Sequence, residues 1–142
     1  MTTNPTIPGY PPTIPAGHRP VTITVWHRQG LAPGTHHLDS DLLDQFLRGY
    51  RPGDPIEAVY RYEHGTTQHR TLADLRKLAE QAFRMFNGQP QDTWEHAHTA
   101  RYYAARNRSL SVGDVLVIGE TALSCEVLGW DPTTIPAQAE ED

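Results

Sequence analysis

One cysteine, one lysine and no long apolar run mark this 142-residue sequence by what it is short of. A lone Cys125 excludes an internal disulfide and a Cys-rich zinc site. It sits inside an apolar run, between Ser124 and Glu126, with no cationic neighbour, and so reads as a small hydrophobe rather than a nucleophile. No 18-residue apolar stretch exists, which argues against a membrane-spanning helix. The N-terminus lacks the basic-then-apolar layout of a secretion signal, so a cytoplasmic protein with no membrane partner is expected. Lys77 is the single Lys among 12 basic residues, a skew that fits codon usage in a GC-rich genome. With 17 acids the net charge is −5, which withholds the overall positive field of a typical nucleic-acid binder.

Catalytic signatures are equally scarce. No phosphate-binding Gly loop, Ser nucleophile elbow, paired-carboxylate motif or internal repeat is present. Eight histidines (His18, His27, His36, His37, His64, His69, His96 and His98) form no HExxH pattern. His96 and His98 stand about 200° apart on a helix, a poor chelate. Glu95 and His98 have the spacing of a di-iron half-motif, but no second copy exists. Scattered surface histidines, no metal site and no cofactor are the expectation. For acid–base chemistry the candidates are His27, at the end of a strand, and Asp114, at the mouth of a hairpin. Asp114 after Gly113 reads more simply as a turn former that accepts backbone N–H bonds.

What is present organises one domain. Residues 1–20 hold half of the 12 prolines and read as a flexible leader, with Ile7, Tyr10 and Ile14 as anchors should it dock. Val21–Arg28 alternates, with Val21, Ile23, Val25 and His27 on one face and Trp26 on the other, which predicts a strand. Ser40 caps a short predicted helix bearing Leu42, Leu43, Phe46 and Leu47, ended by Gly49. Arg51–Pro55 is a turn, and Ile56–Glu63 is a second alternating strand, with Ile56, Ala58, Tyr60 and Tyr62 expected on one face. Thr71-x-x-Asp74 resembles a capping box for a helix over Leu72–Phe86 with an apolar stripe from Leu72 to Phe86. Asp92 caps a third helix reaching about Ala105, with Trp94, Ala97, Arg101, Tyr102 and Ala105 at roughly helical spacing.

Arg108–Trp130 carries the densest pattern. Val115–Ile118, the turn at Gly119–Thr121 and the run Ala122–Trp130 predict a β-hairpin with both faces covered. Asp131-Pro132 is expected to end its second strand, and residues 131–142 form an acidic tail. Fold class follows: α+β, a single four-stranded, mainly antiparallel sheet with two to three helices on a face, over residues 21–130.

Ahead of the hairpin, Arg101, Tyr102, Tyr103, Arg106 and Arg108 form a basic, aromatic stretch. Tyrosine stacks on bases and arginine pairs with phosphates, so nucleic acid is one possible partner. The other reading is a helix C-terminus, where the dipole favours arginine and the tyrosines pack on the sheet.

From Tyr102 to Trp130 the chain reads YYAARNRSLSVGDVLVIGETALSCEVLGW. It resembles the "RSLSVGDV…GW" ending of small uncharacterised proteins from actinobacteria, their phages and plasmids, and is similar to YodL-like modules of mobile elements. The helix around Ala79–Asn87 resembles the same group. The resemblance implies an accessory protein and carries no catalytic residues over. Were the Ser109–Asp114 loop the working part of that group, Arg108, Ser109, Ser111 and Asp114 would be its polar members.

The sequence thus leads to a binding or adaptor module with a protein partner, through Arg101, Tyr102, Tyr103, Arg106, Arg108, Ser109, Ser111 and Asp114. The alternatives are a nucleic-acid binder using the 101–108 stretch and an enzyme of unrecognised type using His27 or Asp114.

Overall fold

The structure, a computed structural model, describes residues 19–29, 48–66 and 71–136. The helix expected after Ser40, and the expected leader 1–20 and tail 131–142 apart from residues 19–20 and 131–136, lie outside the described residues; Arg19 and Pro20 belong to β1 rather than to the leader. The described residues form β1 (Arg19–Arg28), β2 (Ile56–Thr66), α1 (Leu72–Met85), α2 (Thr93–Ala104), β3 (Val115–Ile118), β4 (Thr121–Glu126) and β5 (Gly129–Thr133). All strand pairings are antiparallel, in the order β2-β1-β3-β4-β5. The α+β class stands, with five strands where four were expected.

The added strand comes from the run Ala122–Trp130. Glu126 pairs with Gly129, which leaves Val127 and Leu128 as a two-residue turn. Gly129 takes a φ of 103°, the left-handed conformation that lets such a turn re-enter the ladder. Asp131 and Pro132 do not end the strand. They continue β5, an edge position where a proline without an N–H is tolerated.

A bulge redistributes β2. The register with β1 steps from Val25–Tyr60 to Trp26–Ala58, so Val59 is the extra residue. An extra residue inverts the alternation. Tyr60 and Tyr62 therefore join the helix-side core with Val21, Ile23 and Val25, while Ile56 and Ala58 pack on the opposite face with Trp26, Tyr50, Val115 and Ala122. The four β2 residues expected on one face are split between two.

Both helices lie on one face of the sheet. The Thr71 hydroxyl accepts from the Asp74 N–H (3.1 Å) and the Asp74 carboxylate accepts from the Thr71 N–H (3.0 Å), a complete capping box for α1. Leu75, Leu78, Ala79, Ala82 and Met85 are buried by α1, whereas Leu72 is exposed. Asp92 caps α2 by accepting from the Glu95 N–H at 2.8 Å. The buried stripe of α2 is Glu95, His98 and Tyr102; Arg101 and Ala105 are exposed.

Candidate functional site

The C-terminal end of β1 gathers most of the polar side chains that the sequence singles out. Asp114, immediately before β3, is fully buried. Its Oδ1 accepts from the Arg28 backbone N–H and from Arg108 Nη2, both at 2.8 Å. Its Oδ2 accepts from Arg108 Nη1 at 2.7 Å and from the Ser111 N–H at 2.8 Å. A carboxylate out of water is tolerated only when its lone pairs are filled, and these four bonds fill them. Arg108 also donates to the carbonyls of Arg28 and Ser109, both at 2.9 Å, and to Ser111 Oγ at 3.2 Å. The guanidinium thereby ties the end of β1 to the loop that enters β3.

A second pair flanks the first. Asp54, in the turn before β2, accepts from Arg48 Nη1 (2.9 Å) and Nη2 (3.0 Å) and from the Arg51 N–H (2.9 Å). These bonds, with Arg48 first, hold its carboxyl below the ordinary range. Arg28 reaches the same carboxylate at 3.5 Å and donates to the carbonyl of Arg48 at 3.1 Å. Gly113 (φ 95°) lies so close to the Arg28 guanidinium that a Cβ there would collide with it, and a Cβ at Gly49 would collide with the Glu126 carboxylate.

Beneath this end lie two histidines that the sequence reads as surface residues. Both are buried, because each has a tyrosine partner. His27 Nε2 lies 2.5 Å from the Tyr102 hydroxyl, which itself donates to the Arg108 carbonyl at 2.6 Å. With the phenol proton on that carbonyl, His27 Nε2 is the donor. His98 Nδ1 lies 2.6 Å from the Tyr60 hydroxyl. Burial lowers the pKa of His27 to about 4 and that of His98 to about 3, so both rings are neutral at pH 7. Glu95 is buried too, accepting from Arg84 Nη2 (2.7 Å), Gln81 Nε2 (3.1 Å) and the Gln91 N–H (2.9 Å).

His27, Asp114 and Cys125 stand in one row across β1, β3 and β4, since Trp26 pairs with Val115 and the Cys125 N–H donates to the Asp114 carbonyl. The order is wrong for a thiol–imidazole couple: the carboxylate lies between the two and is already bound by Arg108. Burial, with Asp114 and Glu126 nearby, pushes the Cys125 thiol up to about 12. This row stabilises the fold and lacks the geometry of an activated nucleophile.

The eight expected site residues divide into three groups. Arg108, Ser111 and Asp114 are brought together, with Arg108 and Asp114 bound to each other. Tyr102 is core, and Tyr103 donates to the Phe86 carbonyl at 2.6 Å while touching Ser109 Oγ at 3.1 Å. Arg101 and Arg106 are exposed, and neither side chain makes a hydrogen bond or ion pair among the described residues. Trp130 is buried against Phe83.

Two exposed features complete the surface. Val127 and Leu128 form the β4–β5 turn at the same end as Gly113 and Gly49, and they are 62% and 92% exposed. At the other end, a cleft of about 630 Å³ opens between Pro20–Thr22, Leu75 and Ile118–Thr121. Among the described residues Glu120 is its only ionisable lining residue, so these offer no acid–base pair. Among the described residues no group of three or more His, Cys, Asp or Glu is placed to hold a metal, and no helix is long and apolar enough to cross a membrane. No family model, curated protein or solved structure matches the chain.

Proposed function

We propose that the chain is a small cytoplasmic adaptor that binds a protein partner through the Val127–Leu128 turn. One observation carries this reading. A two-residue hairpin turn favours Asn, Asp or Gly, and the other hairpin of this sheet follows that chemistry with Gly119-Glu120. At the β4–β5 turn the chain places two large apolar side chains in water instead. Neither contributes to the core, so their favourable contribution would come from burial in an apolar pocket of a partner. The Arg48–Asp54 and Arg108–Asp114 pairs hold the loops at this end of the sheet. The resemblance of Tyr102–Trp130 supports an accessory role in an actinobacterium or one of its mobile elements.

Nucleic-acid binding has less support. Its stacking surface would need Tyr102, which is core, and its phosphate contacts would need Arg108, which Asp114 holds; Arg101 and Arg106 remain. The test is capture from nuclease-treated host lysate with the wild-type chain and with Val127→Asp/Leu128→Asp. A specific protein retained by the wild type and lost, at least about tenfold, by the folded double variant is the expected result. Equal capture by both would remove the turn from the interface.

A further inference from the structure

The two edges of the sheet are treated differently. β5 has five residues, includes Pro132, and has its Trp130 carbonyl occupied by Arg76 Nε at 2.8 Å. Such features block the addition of a further strand. β2 has eleven residues and no proline. Among the described residues no strand pairs with its outer side. Beyond the bulge at Val59, Arg61 and Glu63 sit on the face away from the helices, partly exposed, and neither side chain makes a hydrogen bond or ion pair with a described residue.

We propose that β2 pairs with β2 of a second copy of this chain, antiparallel about a two-fold axis at Tyr62. The charges select that register. Two identical antiparallel strands must place residues of the same face opposite each other. Centring on Tyr62 sets Arg61 opposite the partner's Glu63, and by symmetry Glu63 opposite the partner's Arg61. Moving the axis one residue either way sets Arg61 against the partner's Arg61, or Glu63 against the partner's Glu63. Opposite charges facing each other across strands stabilise the pairing and like charges oppose it. The two five-stranded sheets then join into one, and the long edge is covered.

Sedimentation velocity on the full chain over a dilution series up to about 0.1 mM tests this, a concentration at which a micromolar dimer is largely formed. The wild type is expected to be dimeric. Arg61→Glu and Glu63→Arg are each expected to raise the dimer dissociation constant about tenfold, because both symmetric pairs become repulsive. The combined Arg61→Glu/Glu63→Arg chain recovers the dimer, and an equimolar mixture of the two single variants dimerises better than either alone. Both side chains are at the surface, so far-ultraviolet circular dichroism should show all variants folded. A monomeric wild type, or a dimer indifferent to these substitutions, would overturn the proposal.

Discussion

At the residue scale, His27, Glu95, His98 and Asp114 are polar side chains directed inward. His27 and His98 have pKa values of about 4 and about 3, below the ordinary 6.5 that they regain on unfolding. As pH falls below 6.5 the unfolded chain takes up both protons before the folded one does. Stability therefore declines through the window from pH 6.5 to about 4, each histidine adding a slope of up to about 1.4 kcal/mol per pH unit. Urea midpoints measured at intervals across that window should fall steadily, and a flat profile would contradict the burial of both rings. The Arg108–Asp114 pair makes a second prediction. Arg108→Met leaves a buried carboxylate with backbone donors alone and should cost about 3 kcal/mol in urea unfolding. Adding Asp114→Asn should recover part of that loss, since the orphaned charge is then gone.

At the scale of elements, what could be read from the chain depended on whether side-chain polarity and burial agree. They agree in β1, where Val21, Ile23 and Val25 alternate, and in α1, whose capping box and apolar stripe are both visible in the letters. They disagree in α2. Its buried stripe is Glu95, His98 and Tyr102, each bonded to a partner distant in sequence or on another element, so no apolar period announces it. The bulge at Val59 was hidden for a different reason. A bulge is a property of two strands in register, and β2 alone reads as unbroken alternation. The split of Ala122–Trp130 into β4 and β5 was obscured because the turn is built from Val127 and Leu128, residues typical of strands. Gly113 belongs to this scale as well. Its left-handed φ and its closeness to Arg28 predict that Gly113→Ala destabilises the fold by about 1–3 kcal/mol, measurable as a lowered thermal midpoint with an unchanged far-ultraviolet spectrum.

On the scale of the molecule, the described residues give the sheet a polar, clamped end, two contrasting edges and an apolar projection at the Val127–Leu128 turn. The candidate site was partly legible: Arg108, Ser111 and Asp114 do converge, and the reading of Asp114 as an acceptor of backbone N–H bonds matches its bonds to Arg28 and Ser111. What the letters did not reveal is that Arg108 is the counter-ion of Asp114, or that Arg48 and Asp54 lie beside them, because those approaches are made by the fold. We propose that this polar convergence holds the structure and that the Val127–Leu128 turn makes the contact with a protein partner. The most direct measurement compares two folded variants in the nuclease-treated capture: Val127→Asp/Leu128→Asp, and Arg101→Glu/Arg106→Glu. The first is expected to lose the protein partner and the second to keep it. Capture that survives the first and vanishes with the second would contradict the proposal.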